Sequence, residues 1–252
     1  MMGWEKKHSD LQVQLKRGAP TTQFQDWKRT QIGWINDTLD QPENGRFKQP
    51  AHEERASFGY RCWSSCLDCT FVLLGLLVLL LWLPLLAILI RLDSPGPIFY
   101  WQPRKGYRGQ IFSIYKFRTM FADSGPEGQE VWASINDTRV TRVGRFLRAT
   151  HLDELPQVIN ILRGEMSLIG PRPEQPMLVS HLEKRIPCYS CRMNVKPGLT
   201  GWAQVNYHYG GTDLDTRQKL HYDLYYIEHR SMKLDITIVL KTIIEMVRCR
   251  GR

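Results

Sequence analysis

The sequence lacks the features that mark several familiar classes of protein. It contains no internal repeat and no low-complexity tract, so it is neither a repeat array nor a biased linker. No recognised nucleic-acid-binding motif accompanies its net charge of +9. The first residues are polar and include acids, and we therefore expect no cleavable signal peptide there. A charge balance of this kind suits an anionic membrane surface, a phosphorylated substrate or nucleic acid.

The cysteines do not form a complete metal-binding pattern. Cys188 and Cys191 have C-x-x-C spacing, but no second pair stands at zinc-ribbon distance and no histidine flanks them. Three other cysteines, Cys62, Cys66 and Cys69, crowd the edge of an apolar segment. We expect reduced, mostly buried thiols rather than zinc, and the composition indicates a reducing compartment.

Charge is absent from one stretch, residues 70–90, which is about long enough to span a hydrocarbon core as a helix. Pro84 lies inside it and predicts a kink or a break. Basic residues flank both ends, so the positive-inside rule gives no preferred direction. Two interpretations stay open: an ordinary kinked transmembrane helix, or a helix that turns at Pro84 and leaves by the face through which it entered.

A β-hairpin is predicted after this segment. Residues 98–102 and 111–117 are rich in β-branched and aromatic residues, and a Pro/Gly/Arg turn separates them. Lys116 and Arg118 alternate with Phe117 and therefore share one face of the second strand. They are either a solvated edge or phosphate ligands.

Next come a Gly/Asp/Ser-rich loop at 121–138 and a run of arginines. The arginines recur every three residues, which predicts that they form one stripe along a helix that leads into a pair of acids. The stripe contains Arg139, Arg142, Arg145 and Arg148. A solvated face is the default interpretation for any one of them, whereas an anionic substrate or membrane surface would explain the whole set.

Asp153 and Glu154 form the pair of acids, and an apolar face of helical spacing follows them. Pro156 is tolerated only in a first turn, so the helix is predicted to start at Asp153 or just before it and to end at Gly164. The acids then lie at a helix N-terminus, where anions are favoured. Capping alone is the ordinary interpretation of such a pair. Arg172 follows between two prolines, a stiff mount for an anion-binding side chain.

The last part of the chain predicts helices. One ends before Pro187, a second covers residues 216–226, and a third covers residues 234–247. The third helix is amphipathic and is followed by a basic tail. Its apolar face either packs on the domain core or lies on an anionic membrane surface.

Four blocks, in this order, resemble the bacterial sugar transferase family, the monotopic phosphoglycosyl transferases. They are Y-K-F-R-T-M (115–120), L-D-E-L-P-Q (152–157), M-S-L-I-G-P-R-P (166–173) and K-P-G-L-T-G-W-A-Q-V-N (196–206). The resemblance runs from about Cys62 to the C-terminus and leaves the first sixty or so residues unassigned.

The resemblance implies an α/β fold class: a mainly helical monotopic membrane domain with a β-hairpin and an N-terminal re-entrant membrane helix. The expected division is a polar extension at 1–61, the membrane helix at 62–92 and the catalytic domain at 93–252. In the family the helix is broken at a Ser-Pro pair, whereas this chain has Leu83 before Pro84. The expected location is the bacterial inner membrane, with the catalytic domain on the cytoplasmic face.

The implied reaction transfers a sugar 1-phosphate from a nucleoside diphosphate sugar to polyprenyl (undecaprenyl) phosphate, the step that starts exopolysaccharide or O-antigen type glycans. Asp153 would be the covalent nucleophile and Glu154 its partner. Mg²⁺ is the implied cofactor, with the same two acids as ligands. The expected phosphate-binding residues are Lys116, Arg118, Arg145, Arg148 and Arg172. Downstream glycosyltransferases or a second copy of the chain are possible partners.

Two other hypotheses compete with the enzyme. A membrane-bound adaptor would keep the fold and scaffold other glycan enzymes without turnover, although the intact Asp153, Glu154 and Arg172 argue against it. A nucleic-acid-binding module has only the net charge in its favour, and the apolar segment opposes it. We therefore expect no nucleic-acid partner.

Overall fold

The computed structural model describes residues 57–121, 137–207 and 213–247. Most of the predicted polar extension, most of the predicted loop at 121–138 and the basic tail after Val247 lie outside these ranges. The described helices and strands, in chain order, are α1 Phe58–Asp93, β1 Phe99–Lys105, β2 Ile111–Phe117, α2 Arg142–Ala149, α3 Val158–Leu162, β3 Ser167–Ile169, α4 Pro176–Arg185, β4 Gly198–Thr200, α5 Trp202–Asn206, α6 Asp213–His229 and α7 Met232–Val247. Short 3₁₀ helices lie at Tyr107–Gly109, Leu152–Gln157 and Tyr189–Asn194.

These elements confirm a mostly helical domain with a β-hairpin. Strands β1 and β2 pair antiparallel, from Phe99 opposite Phe117 to Lys105 opposite Ile111. The described residues also contain a second sheet that the sequence did not predict, in which β3 and β4 pair parallel. The predicted C-terminal helices are confirmed as α4, α6 and α7.

Helix α1 is longer than predicted and begins at Phe58, before the expected boundary at residue 62. The Ser57 hydroxyl caps it by accepting a hydrogen bond from the backbone N–H of Tyr60 at 3.2 Å. It has 36 residues, or about 54 Å at the standard rise, which exceeds the thickness of a hydrocarbon core. By length and composition it is the one described helix that qualifies as a membrane-crossing segment.

The sequence predicts a kink or a break at Pro84; α1 is not broken there, because it continues through this residue, and the kink stays a prediction. Leu79 and Leu86 lie on either side of Pro84, and both are buried in the same hydrophobic core. Packing therefore holds the two halves in one helix across the missing backbone N–H. The other faces remain uncovered: Leu73, Leu77 and Leu81 are 65–73% exposed.

The main core lies between α1, the hairpin and the segment that carries the acids. Its buried members include Phe117, Leu147, Val158 and Met166. Gly75 allows α3 to approach α1 closely, because a Cβ at this position would lie 3.0 Å from a methyl group of Val158. The membrane-type helix is thus packed directly against the element that follows the acidic pair.

Candidate active site

The acidic pair lies on a short 3₁₀ helix, Leu152–Gln157, that continues into α3. The predicted start, just before Asp153, is confirmed, although the first turn is 3₁₀ rather than α. Pro156 fits this tighter turn, where its missing N–H costs little. Gly164 has φ +75° and follows the end of α3, as its position in the sequence predicts.

Two cations from distant segments meet at Glu154. Lys116 Nζ on β2 lies 2.6 Å from Glu154 Oε1, and the Arg172 guanidinium donates to both carboxylate oxygens. Burial alone would raise the pKa of Glu154, but Arg172 and Lys116 outweigh burial and hold this pKa well below its usual range. Arg172 keeps 43% of its side chain exposed, so it also faces solvent, from which an anion would arrive.

Asp153 has the opposite environment. It is 8% exposed, and no side chain or backbone N–H of the described residues donates a hydrogen bond to it. Burial raises its pKa, with a further increase from the charge of Glu154, while Lys116 opposes the shift. Two adjacent carboxyl groups with pKa values pushed apart are typical of sites in which each has a different task.

A buried asparagine places β2 beside the acids. Asn160 on α3 is fully buried; its Nδ2 donates to the Ser113 carbonyl and to Glu165 Oε2, both at 2.7 Å. Its Oδ1 accepts from the backbone N–H of Tyr115 at 3.2 Å. These bonds fix the strand next to Lys116. Sequence analysis missed this residue, and a single amide in the apolar run V-I-N-I-L was the available signal.

Arg148 lies near Asp153 and is held by the end of the hairpin. Its Nε donates to Thr119 Oγ1 at 2.9 Å. Burial lowers the pKa of Arg148, and the negative charge of Asp153 opposes this shift. Gly144 is required for the approach, because a Cβ there would lie 2.1 Å from the Thr119 carbonyl oxygen.

The other predicted phosphate ligands are not brought to the acids. The Arg118 guanidinium is buried and donates to the carbonyl oxygens of Ser94 and Pro95, both at 2.7 Å, so it secures the chain after α1 instead. Arg145 is exposed on α2 and, with Arg142, lines a cleft beside the end of α1. Arg139 precedes the helix and pairs with Asp137, so the predicted stripe begins only at Arg142.

The prediction of reduced, buried thiols is wrong for the described cysteines. Cys188 and Cys191 form a disulfide, since the turn that starts at Cys188 brings their Cα atoms to 5.2 Å. Cys62, Cys66 and Cys69 are free but exposed along α1.

Among the described residues no group of three or more His, Cys, Asp or Glu side chains is arranged to hold a metal. Both oxygens of Glu154 already accept from cationic side chains, which argues against its predicted role as a Mg²⁺ ligand. Asp153, a buried carboxylate without a hydrogen-bond donor in the described ranges, fits a cation. One carboxylate with phosphate oxygens and water is an ordinary ligand set for Mg²⁺.

Sequence comparison finds relatives that are named as transferases of sugar phosphates to undecaprenyl phosphate. The UDP-N-acetylgalactosamine-undecaprenyl-phosphate N-acetylgalactosaminephosphotransferase of Aeromonas hydrophila is 49% identical over 157 residues, 62% of this chain and 37% of that protein. The UDP-glucose:undecaprenyl-phosphate glucose-1-phosphate transferase of Xanthomonas campestris pv. campestris is 47% identical over 173 residues, 66% of this chain and 35% of that protein. The chain therefore spans little more than a third of the length of these relatives.

A shorter relative matches nearly end to end. An exopolysaccharide production protein of Rhizobium leguminosarum bv. phaseoli is 38% identical over 183 residues, 70% of this chain and 92% of that protein. The family model described as bacterial sugar transferase matches residues 59–249, which contain all but the first residue of α1, the hairpin and the acidic pair. On this match the chain belongs to the bacterial sugar transferase family.

Proposed function

We propose that this chain transfers a sugar 1-phosphate from a nucleoside diphosphate sugar to polyprenyl phosphate through a covalent intermediate on Asp153. The observation that carries the proposal is the contrast between the two acids. The charge of Glu154 is neutralised by Lys116 and Arg172. Asp153 is instead buried, its pKa is raised, and no described residue donates a hydrogen bond to it. The relatives are named as transferases that act on undecaprenyl phosphate, and these names support the same reaction.

The reaction would have two displacements. A carboxylate oxygen of Asp153 attacks the phosphorus that carries the sugar, and the bond from this phosphorus to the nucleoside monophosphate breaks. A phosphate oxygen of the polyprenyl phosphate then attacks the same phosphorus and releases the carboxylate, which gives polyprenyl diphosphate sugar. In each step the leaving group keeps the oxygen of the bond that breaks: the nucleoside monophosphate keeps the bridging oxygen in the first step, and Asp153 keeps its carboxylate oxygen in the second and is regenerated.

The surrounding cations suit this chemistry, because the main obstacle to phosphoryl transfer between anions is charge repulsion. Arg172 is bound to Glu154 yet substantially exposed, and Arg148 lies near Asp153. A phosphate that enters the site would share these cations with the carboxylates. Bound at Asp153, Mg²⁺ would supply further neutralisation of the phosphate charge.

The activity is tested with purified protein, polyprenyl phosphate, Mg²⁺ and a panel of nucleotide sugars, with release of nucleoside monophosphate as the readout. We expect turnover with at least one donor and its loss in Asp153→Asn. Arg163→Ala is the control for a substitution away from the acids, since Arg163 is exposed and donates to the Tyr115 hydroxyl on the hairpin. No turnover with any donor would favour the adaptor, and near-normal turnover in Asp153→Asn would refute the role of this acid.

We also propose that α1 enters and leaves the membrane by one face, with the catalytic domain on the cytoplasmic side of the inner membrane. Basic residues at both ends of the apolar run 70–90 support this topology, and a kink at Pro84 within the continuous helix would provide the turn. Phe58 and Leu92 are 77% and 80% exposed at the two ends of α1. In a cysteine-free background, Phe58→Cys and Leu92→Cys should react from the same side of sealed vesicles, whereas labelling from opposite sides would establish a full span.

A further inference from the structure

Arg192 is a buried arginine, 8% exposed, on the 3₁₀ helix Tyr189–Asn194. Its Nη2 lies 2.8 Å from Asp223 Oδ2 on α6, and its Nη1 donates to the Tyr189 hydroxyl at 2.8 Å. Asp223 is 2% exposed. Although burial disfavours a charged guanidinium, Tyr189 and Asp223 raise the pKa of Arg192, so the group stays charged. A buried charge with two fixed partners has little freedom to move.

Arg192 also contacts the segment that carries Arg172: its Nη1 lies 3.9 Å from Glu174 Oε1. Its Nη2 donates to the backbone carbonyl of Arg172 at 2.9 Å. Pro173 already restricts the backbone of Arg172 to extended conformations, and the hydrogen bond fixes the plane of the peptide group between the two residues. Asp223, through Arg192, therefore fixes the orientation of the backbone at Arg172. From this backbone the Arg172 side chain reaches Glu154.

A second arginine holds the same segment from the hairpin. Arg104 Nη1 donates to the Pro173 carbonyl at 3.4 Å and lies 3.7 Å from Glu174 Oε2. The backbone N–H of Lys105 donates to the Glu174 carbonyl at 2.9 Å. The chain after Arg172 is thus fixed on the hairpin side, and Arg192 supplies the attachment to α6.

We propose that Arg192 is a positioning residue: anchored on Asp223, it fixes the backbone of Arg172 so that the Arg172 guanidinium meets Glu154 and, with it, the phosphate of the donor. Arg192 itself touches neither Asp153 nor Glu154. This inference rests on the proposed function for its kinetic readout. Its structural basis is the chain of contacts from Asp223 through Arg192 to the Arg172 carbonyl.

A double-mutant cycle tests the inference. Lysine at position 192 keeps the charge beside Asp223, but a single ammonium group lacks the planar fork that reaches Asp223, the Tyr189 hydroxyl and the Arg172 carbonyl together. Arg192→Lys should lower kcat/KM by about tenfold or more, since a small misplacement of a charged ligand has a large effect. Arg172→Ala should lower it by about 100-fold. In the Arg172→Ala background, Arg192→Lys should change kcat/KM by less than about twofold, because the residue it positions is absent.

The cycle separates positioning from general stability. If Arg192→Lys costs the same factor with and without Arg172, it acts through the rest of the fold and the inference is overturned. Arg163→Lys is the matched control and should leave kcat/KM within about twofold. If Arg192→Lys does not fold, Asp223→Asn, which preserves volume and removes the anchoring charge, takes its place in the same cycle.

A binding readout makes failure of the two proposals distinguishable. UDP, the nucleotide part of the donors named for the relatives, is titrated calorimetrically into the wild type and the same variants. Weaker UDP binding in Arg192→Lys, with no further loss in the double variant, supports positioning even if no donor is turned over. If no donor is turned over, equal UDP affinity in the wild type and Arg192→Lys overturns the inference; if a donor is turned over, equal affinity together with unchanged kcat/KM overturns it.

Discussion

Asp153 and Glu154 are neighbours in the chain, but burial raises the pKa of Asp153 while Arg172 and Lys116 hold the pKa of Glu154 far down. The two pKa values differ because the two side chains contact different partners. Glu154 meets an ammonium group from the hairpin and a guanidinium from the Pro171–Pro173 segment. Asp153 has no hydrogen-bond donor among the described residues. In the proposed reaction this leaves Asp153 as the carboxylate with an unengaged lone pair.

This contrast predicts a pH effect of Glu154→Gln. Only ionised Asp153 is a nucleophile, so activity should rise with pH through its pKa. Glu154→Gln removes a negative charge that raises this pKa and leaves Lys116 and Arg172 without their carboxylate partner. Both changes lower the pKa of Asp153, so the acid limb of the kcat/KM profile should move to lower pH. A shift to higher pH would show that Glu154 does not act on Asp153 in this way.

Gly170 predicts a stability effect at the parallel strand pair. A Cβ on Gly170 would lie 2.4 Å from the Lys196 carbonyl oxygen, and this contact involves backbone that cannot move aside easily. Gly170→Ala should therefore lower the free energy of unfolding by at least about 2 kcal/mol. The matched control is Gly59→Ala in the first turn of α1, where a Cβ meets nothing within 4 Å. Equal melting temperatures of the two variants in detergent would contradict this explanation.

Asp235 predicts a pH-dependent term in stability. It is 1% exposed on α7, and its Oδ1 accepts from the hydroxyl groups of Tyr60 and Tyr226, both at 3.3 Å. Burial raises its pKa to about 6, and the two tyrosine hydrogen bonds oppose the shift. The folded protein thus binds a proton that the unfolded chain has lost between about pH 4 and pH 6, so the contribution of Asp235 to stability falls as pH rises through this range.

The comparison with Asp235→Asn isolates this term, because asparagine does not titrate. The free energy of unfolding of the wild type, minus that of the variant, should decrease by about 2 kcal/mol from pH 4 to well above pH 6. Urea titrations at a series of pH values measure the difference. A difference that stays constant or grows with pH would contradict the predicted shift.

The features that were predicted correctly depend on nearby residues. The hairpin follows from two β-rich runs around a turn, and the end of α3 follows from Gly164. The start of the helix at the acidic pair follows from Pro156, because a helix tolerates proline almost only in its first turn. In each case the deciding interaction lies within a few residues of the signal.

The features that were missed depend on contacts between distant segments. Arg118 follows directly after β2, and its partners are the carbonyl groups of Ser94 and Pro95, which no periodicity connects to it. The bond from Arg192 to the Arg172 carbonyl is of the same kind. At Pro84 a local rule predicted a kink or a break, and the helix is not broken because residues on both sides of the proline are buried in one core.

Covalent trapping at Asp153 tests the central claim most directly. The protein is incubated with labelled nucleotide sugar in the absence of polyprenyl phosphate, quenched in acid and mapped by peptide mass spectrometry. We predict a phosphosugar on the peptide that contains Asp153, its absence in Asp153→Asn, and its disappearance with product formation when polyprenyl phosphate is added. Product formed in full by a protein that never carries the phosphosugar on Asp153 would contradict the account.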